Sequence, residues 1–169
     1  MANDIQVRKA VAGDLDALHQ VVERAYRGDS AKQGWTHEAD LLFDTRTDLS
    51  TLHGLIASDD ECLLVATLDR NIIGCVCLSR RENRGCYLGL LCIEPTLQAG
   101  GYGKAILTAA EAFARSEFSA DHIVMTVIDK RTELIAYYQR RGYALTGETC
   151  DFPVKVDPPL FMVILRKDI

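Results

Sequence analysis

Three glycines fall within four residues in the segment QAGGYGKA, residues 98–105. An apolar run, LGLLCIEP (88–95), precedes this segment, and AILTAAEAFARSEF (105–118), which has helical periodicity, follows it. Glycine is favoured where a Cβ would collide with a neighbour or where the backbone takes left-handed angles. The pattern therefore predicts a strand, a glycine turn and a helix whose first residues leave the backbone open to close approach.

A strand that leads into a helix N-terminus presents unpaired N–H groups, and the helix dipole adds partial positive charge there. This combination suits a phosphate. Gly101 and Gly103 would let a pyrophosphate reach the N–H groups, and Lys104 would add a cation at the rim. The alternative is a tight turn that needs glycine only for its backbone angles.

Two common phosphate loops do not fit the segment. The dinucleotide fingerprint requires a third glycine where this chain has Ile106. A nucleoside-triphosphate loop requires Ser or Thr after Gly-Lys, and Ala105 occupies that position. A nucleotide-binding regulator is therefore the weakest of the functions considered.

Length and charge limit the remaining possibilities. The 169 residues, 48% of them hydrophobic, fit a single domain, residues 1–169. A formal net charge of -5 argues against nucleic acid or an anionic membrane as the main partner. The N-terminal sequence lacks a signal-peptide pattern and no apolar run reaches membrane-spanning length, so we expect a cytoplasmic protein.

Cysteine and histidine positions do not suggest a metal site. The six cysteines lack Cys-x-x-Cys spacing, and five lie in apolar strand-like segments where a thiol behaves as a small hydrophobe. The four histidines show no metal-ligand spacing on a helix face. We expect buried, reduced cysteines and catalysis without a metal.

Periodicity predicts the element order β-α-α-β-β-β-α-β-α-β-β, an α/β fold with a mixed sheet and helices on both faces. Asp14 and Asp48 are the expected N-caps of the first two helices, and Gly142 is expected to end the last helix. The strands are predicted near residues 5–10, 62–69, 72–80, 86–94, 122–128, 143–148 and 160–166.

Two segments together resemble the GNAT superfamily of N-acetyltransferases. LCIEPTLQAGGYGKAIL is similar to the acetyl-CoA-binding motif, Gln/Arg-x-x-Gly-x-Gly/Ala after a strand, with Gln98, Gly101 and Gly103 on its fixed positions. About thirty residues later, ELIAYYQRRGY is similar to the helix that carries Tyr138, Gly142 and Tyr143 in the matching pattern. The resemblance covers about residues 4–168 and implies a GNAT-like sheet of about seven strands with about four helices, split between two central parallel strands.

The resemblance also implies which residues bind the cofactor, acetyl-CoA. Backbone groups at the end of the 86–94 strand would pair with pantetheine, and the glycine turn would hold the pyrophosphate. Arg131 stands where many members have an asparagine that contacts the pantetheine arm. The residues implied for cofactor binding are Leu91, Cys92, Ile93, Gln98, Ala99, Gly100, Gly101, Tyr102, Gly103, Lys104 and Arg131.

Tyr138 is the candidate general acid, because the family's tyrosine at this position points its hydroxyl at the thioester sulfur and a phenol can protonate a departing thiolate. The alternative is a core tyrosine with a satisfied hydroxyl. Tyr137 faces another side of the helix and is predicted to pack.

Several residues are candidates for binding the acceptor amine or for activating it as a general base. Trp35, Glu38 and Asp40 could hold a cationic amine through ring-face contact and charge, or Trp35 could simply anchor its loop. Glu94, at the end of the 86–94 strand, is an option for the general base. For each acid, a solvated surface charge is the competing interpretation.

We therefore expect an acetyl-CoA-dependent N-acetyltransferase that moves an acetyl group to a primary amine of a small-molecule acceptor by direct transfer in a ternary complex. Two alternatives stay open: an acetyl-CoA-binding sensor without turnover, and an acetyltransferase of protein lysines or N-termini. The resemblance further implies a homodimer.

Overall fold

The computed structural model describes residues 4–26, 47–98, 100–153 and 155–169. In chain order these contain β1 (Gln6–Lys9), α1 (Leu15–Tyr26), α2 (Leu49–Ala57), β2 (Glu61–Leu68), β3 (Asn71–Arg80), β4 (Gly85–Ile93), α3 (Tyr102–Phe118), β5 (His122–Ile128), α4 (Thr132–Arg140), β6 (Ala144–Asp151) and β7 (Phe161–Asp168). Short 3-10 turns precede α1 and α3, at Ala12–Asp14 and Pro95–Leu97. Within these ranges the elements follow the predicted order. None of the helices in the described ranges combines the length and apolar character that crossing a membrane requires.

The strands form one seven-stranded mixed sheet in the order β1-β2-β3-β4-β5-β7-β6. Of the six pairs of neighbouring strands, five are antiparallel and one, β4 with β5, is parallel. The parallel pairing runs from Gly85 opposite His122 to Tyr87 opposite Val124. Both strands continue past these residues, β4 to Ile93 and β5 to Ile128, so the sheet is split at its centre as predicted.

A bulge shifts the register of β4 beside this split. Cys75 pairs with Cys92 and Cys77 with Gly89, so Leu90 and Leu91 together stand opposite a single residue of β3. Leu90 takes a left-handed backbone conformation with φ of 52°. Bulges bend a strand and interrupt its ladder. The bulge therefore bends β4 shortly before the strand ends at Ile93.

Hydrophobic cores form on both faces of the sheet. On one face α1 and α2 bury Leu18, Val22 and Leu52 against side chains of β2 and β3. On the other face α3 and α4 bury Ile106 and Tyr138 against strands of both halves of the sheet. Five of the six cysteines lie in these interiors, as expected from their apolar surroundings.

Most predicted helix boundaries agree with the structure, with two differences. Asp48 caps α2 by accepting a hydrogen bond from the Thr51 N–H at 2.7 Å, and Gly142, with φ of 97°, follows the end of α4. The prediction that Asp14 caps α1 is wrong in detail. Asp14 ends the preceding 3-10 turn, accepts the Val11 N–H at 2.8 Å and pairs with Arg8 through both carboxylate oxygens. The third helix begins at Tyr102 rather than at 105, directly after Gly101, which is its N-cap in a left-handed conformation.

Gly74 has no room for a side chain, because a Cβ there would collide with the backbone carbonyl oxygen of Cys92 on β4. Gly74→Ala should lower the free energy of unfolding by about 1–3 kcal/mol, since neither strand can move without disturbing the ladder. The matched control is Gly54→Ala in α2, where a Cβ meets nothing within 4 Å. That variant should be stabilised by roughly 0.5–1 kcal/mol. Urea unfolding of the two variants measures both values, and equal stabilities would contradict the assigned clash.

The Arg8–Asp14 ion pair should make stability depend on pH. The hydrogen bond from Arg8 is the main cause that lowers the pKa of Asp14 below its usual value. A lowered pKa stabilises the fold above the unfolded value of about 3.9, and this contribution is lost as pH falls through the folded pKa. Asp14→Asn should therefore cost about 1 kcal/mol at pH 7, a small figure because Arg8 is half exposed, and progressively less in acid. Urea unfolding at several pH values, with the exposed Asp16→Asn as control, tests this; a cost independent of pH would contradict it.

Candidate active site

A cavity of about 340 Å³ opens where β4 and β5 separate. The end of β4, the glycine turn with the start of α3, the inner face of α4 and the end of α1 form its walls. Its lining residues are Ala25, Tyr26, Leu91, Cys92, Ile93, Gln98, Gly101, Gly103, Lys104, Arg131, Leu134, Tyr137, Tyr138, Arg140 and Arg141. The cavity thus brings together the β4 residues, the glycine turn and Tyr138, which are far apart in the sequence.

The glycine turn is shaped by two different constraints. Gly101 takes φ of 85° as the N-cap of α3, and a Cβ there would point into open space. At Gly103 the conformation is helical, but a Cβ would lie 2.8 Å from the Tyr137 hydroxyl and 3.2 Å from the Ile93 side chain. Gln98 donates a hydrogen bond from Nε2 to the Ile93 carbonyl at 3.4 Å, which ties the turn to the end of β4. The start of α3 is therefore both open at Gly101 and closely packed at Gly103.

Tyr138 lies on α4 with 5% of its surface exposed. Burial raises the pKa of its phenol, and the nearby positive charge of Arg131 opposes this shift in part. A phenol with a raised pKa keeps its proton at neutral pH. Tyr138 is therefore a protonated hydroxyl in the cavity wall, which is the form that a general acid needs.

Tyr137, which was predicted to pack, does pack against the core, and its side chain also lines the cavity. Its ring meets that of Tyr138 edge to face with centroids 5.6 Å apart, and the Arg141 guanidinium lies 4.9 Å from its centroid on the ring face. Positions 137 and 138 differ by about a hundred degrees around the helix, and both side chains reach the cavity.

Positive side chains are concentrated at the cavity although the chain as a whole is acidic. Lys104, Arg131, Arg140 and Arg141 line it, and no Asp or Glu does among the residues that the structure describes there. The net charge of the chain is -5. The fold has therefore placed a local cationic surface around the glycine turn and α4, which favours an anionic ligand.

Tyr26, at the end of α1, was not identified from the sequence. Its hydroxyl donates a hydrogen bond to the carbonyl of Leu91, in the bulged part of β4, and its side chain lines the cavity. Tyr26 continues the apolar stripe of α1, and this position indicates a side chain that packs in the core. Only the bulge in β4 supplies the unpaired carbonyl that gives its hydroxyl a partner.

Glu94, the option for a general base, follows β4 directly and forms an ion pair with Arg24 of α1. Arg24 donates from Nε to Oε1 and from its terminal nitrogen to Oε2, both at 2.8 Å. The hydrogen bond that Arg24 donates to Glu94 is the main cause that raises the pKa of Arg24. The structure thus places this carboxylate in a two-point ion pair next to the cavity; its role as a base stays a prediction.

Several predicted residues lie beside the cavity or outside the described ranges. Gly100 and Tyr102 belong to the turn without lining the cavity in the described structure. Ala99, Trp35, Glu38 and Asp40 fall outside the described residues. Within the described ranges, no three His, Cys, Asp or Glu side chains are arranged to hold a metal ion.

Comparison with known sequences identifies related proteins. Residues 16–143 match the model of the acetyltransferase (GNAT) family. A segment of 55 residues is 34% identical to mycothiol acetyltransferase of Salinispora tropica, covering 32% of this chain and 18% of that protein. The chain thus matches less than a fifth of the length of this curated relative.

Solved structures share the fold over nearly the whole chain. A GNAT-family acetyltransferase of Streptococcus pneumoniae superposes with a TM-score of 0.71 and 19% identity, covering 98% of this chain and 100% of that one. PaiA N-acetyltransferase of Thermoplasma acidophilum, solved with coenzyme A, gives 0.76 and 20% identity over 98% and 99%. A chimeric spermidine N-acetyltransferase from Vibrio cholerae and hSSAT gives 0.75 and 15% over 97% and 95%.

Proposed function

Because this chain belongs to the acetyltransferase (GNAT) family, we propose that it is an acetyl-CoA-dependent N-acetyltransferase whose acceptor is a primary amine of a small molecule. The proposal rests on one observation. The glycine turn and Tyr138, whose hydroxyl is protonated, line the same cavity at the strand split. Acetyl transfer occurs directly, with both substrates bound at once. The cytoplasmic location and the homodimer stay predictions from the sequence.

The residues present fit acetyl-CoA. The open side of Gly101 leaves the backbone at the start of α3 free for close approach, as a pyrophosphate requires. Lys104 lies in the first turn of α3 and lines the same cavity. Leu91, Cys92 and Ile93 lie in the part of β4 that no longer pairs with β5. The backbone along this edge suits the extended amide-containing arm of pantetheine.

The chemistry requires a neutral amine, a polarised carbonyl and a proton for the leaving thiolate. When bound, acetyl-CoA supplies an acetyl group activated as a thioester. Tyr138 holds a proton on its hydroxyl oxygen and can donate it to the departing sulfur. Arg131, whose positive charge acts on Tyr138, stabilises the negative charge that this donation leaves on the phenol oxygen.

An amine acceptor is supported by two kinds of observation. Solved structures with this fold include proteins described as a spermidine N-acetyltransferase and the PaiA N-acetyltransferase. The segment that precedes α2 also carries Trp35, Glu38 and Asp40, an aromatic ring and two carboxylates suited to a cationic amine. We propose these three side chains as acceptor contacts.

The direct test is thiol release from acetyl-CoA by the full chain with polyamines, amino acids, aminoglycosides and lysine-containing peptides as acceptors. Calorimetric titration with acetyl-CoA accompanies it. Turnover with one class of small amine supports the proposal. Turnover with peptides alone would replace the acceptor class, binding without any turnover would favour a sensor, and no binding would overturn the assignment of the glycine turn.

Tyr138→Phe removes the proposed acid and should lower kcat by about 10²–10⁴-fold. Affinity for acetyl-CoA should stay within about fivefold, since one neutral hydrogen bond is lost at most. The control is Tyr143→Phe, because Tyr143 is also buried and donates a hydrogen bond to Glu111 but does not line the cavity. Equal kcat values in the two variants, measured on folded protein, would remove Tyr138 from the acid role.

The raised pKa of Tyr138 also sets an expectation for the pH profile of the wild-type chain. An acid is lost as pH rises through its pKa, and burial moves this loss above the ordinary tyrosine value of about 10. Wild-type kcat should therefore show no decline from tyrosine ionisation between pH 7 and about 9.5. A decline in that range that is absent in Tyr138→Phe would contradict the assigned burial effect.

Gly103→Ala should weaken acetyl-CoA binding while leaving the fold intact. The new methyl group would displace the Tyr137 ring, because the contact is with the end of a side chain rather than with backbone. We expect a loss of about tenfold in affinity, because the added methyl group and the displaced ring take up space at the start of α3 that the pyrophosphate needs. Calorimetry measures it against Gly13→Ala, where a Cβ meets nothing within 4 Å. Unchanged affinity would show that the turn tolerates a side chain there.

A further inference from the structure

Two cysteines stand directly opposite each other in the β3–β4 ladder. Cys75 pairs with Cys92 in the antiparallel register, and their sulfur atoms lie 3.5 Å apart in the interior. Both residues are present as thiols. No other described strand pair places two cysteines opposite each other. The sulfur atoms would have to approach by about 1.5 Å to form a disulfide, a distance that side-chain rotation can supply.

The two thiols differ in their access to the cavity of the candidate active site. Cys92 lines this cavity and has 6% of its surface exposed, whereas Cys75 is not among the lining residues and has none exposed. Burial is the main cause that raises the pKa of Tyr138, and the charge of Cys92 is among the neighbouring charges that add to this shift. The Cys92 thiol therefore lies within electrostatic range of the proposed acid. A small reagent that enters the cavity meets Cys92 before it meets Cys75.

The other cysteines are less suited to forming a disulfide within the chain. Burial is the main cause that raises the pKa of Cys77 well above its usual range, that of Cys86 to about 11 and that of Cys62 in the same direction. Thiolates rather than thiols attack oxidants, so thiols with a raised pKa react slowly at neutral pH. None of these three belongs to the described lining of the cavity. Cys150 is partly exposed on β6, but the residue opposite it is Met162.

Oxidation of this pair is a two-electron reaction, and hydrogen peroxide is small enough to enter a cavity of about 340 Å³. The Cys92 sulfur attacks one oxygen of the peroxide and breaks the O–O bond, which gives a sulfenic acid and one water. The Cys75 sulfur then attacks the Cys92 sulfur, the S–O bond breaks, and the leaving hydroxide takes the thiol proton of Cys75 to form a second water. Two thiols are thus oxidised to one disulfide while one peroxide is reduced to two waters.

The cysteine pair also lies beside the segment of β4 to which we assign the pantetheine arm. Cys92 is the middle residue of that segment, so a ligand that fills the cavity there would exclude peroxide from its sulfur. Cys75 donates a hydrogen bond from Sγ to the Leu90 carbonyl in the bulge at 3.3 Å. A disulfide removes the proton that this bond requires. Oxidation and cofactor binding therefore act on the same end of β4.

We propose that Cys92 and Cys75 form a redox-active pair, which hydrogen peroxide converts to a disulfide while the cavity is empty and which bound acetyl-CoA protects. Cys92 is the sulfur that is oxidised first, and Cys75 is the resolving thiol. Protection by acetyl-CoA rests on the proposed function, whereas oxidation of the unliganded chain does not.

The experiment treats the folded full chain with hydrogen peroxide and then counts the thiols that react with a thiol reagent after denaturation. Because the disulfide uses two of the six thiols, the number should fall from six to four, and the chain should lose the mass of two hydrogen atoms. A dithiol reductant should restore both values. Calorimetry supplies the Kd of acetyl-CoA. At about 100 times this Kd roughly 1% of the chain is unoccupied, so oxidation should be about 100-fold slower.

Trypsin digestion followed by mass spectrometry identifies the two sulfur atoms. Cleavage after arginine and lysine releases residues 71–80 and 85–104, each of which contains two of the six cysteines. These peptides should be recovered as one cross-linked species from the oxidised chain. Its fragment ions should place the bond between Cys75 and Cys92.

Four variants test the same assignment with matched controls. Cys75→Ala and Cys92→Ala should each abolish the cross-link. Cys77→Ala and Cys86→Ala should each keep it, because each removes the other cysteine of the same tryptic peptide. Thermal unfolding of each variant shows that it is folded under the conditions of the peroxide treatment.

The outcomes distinguish this inference from the proposed function. Retention of all six thiols by the wild-type chain, or a bond that involves Cys77 or Cys86, would overturn the redox-active pair. Equal oxidation rates with and without acetyl-CoA, in a chain that binds it, would overturn the protection. Failure to bind acetyl-CoA would overturn the proposed function alone, because the cross-link in the unliganded chain still decides the pair. If a variant does not fold, the fragment ions of the wild-type cross-link identify the sulfur atoms.

Discussion

The early end of the β4–β5 pairing is the constraint on which the rest of the structure depends. Two parallel strands that separate after Tyr87 and Val124 leave backbone N–H and C=O groups without a ladder partner. Unpaired backbone groups in an interior must find other partners. The Leu91 carbonyl accepts from Tyr26 and the Ile93 carbonyl from Gln98, so the walls of the opening are stabilised by side chains from α1 and from the glycine turn. The bulge at Leu90 and Leu91 belongs to the same arrangement, because the Leu91 carbonyl that accepts from Tyr26 lies in it.

The charge of the cavity differs in sign from the net charge of the chain. The acidic residues outnumber the basic ones and give the chain a formal net charge of -5. The cavity has the opposite character, because the start of α3 and the length of α4 direct one lysine and three arginines to the same opening. An acidic protein can thus offer an anion site, provided that the site is local.

The three tyrosines of the segment from α4 to β6 show how burial assigns different roles to one residue type. Tyr138 is buried in the cavity wall and keeps its proton. Tyr143 is equally buried, but its hydroxyl donates to Glu111, which also accepts from Lys167 at 2.9 Å, so its role is structural. Tyr137 is partly exposed and supports Arg141 with its ring. Residue type and helical spacing do not separate these roles, because each depends on neighbours from other elements.

Local patterns in the sequence determined the element order, the capping of α2 by Asp48, the end of α4 at Gly142 and the glycine turn itself, since capping, periodicity and backbone freedom are properties of adjacent residues. The family resemblance added the split sheet and the prediction that Tyr138 acts as the general acid. Tertiary structure alone decided the ion pair of Glu94 with Arg24, the hydrogen bond of Tyr26 to the bulge and the stacking of Arg141 on Tyr137. These contacts join residues of different elements, and their existence depends on the geometry of the split sheet rather than on spacing along the chain.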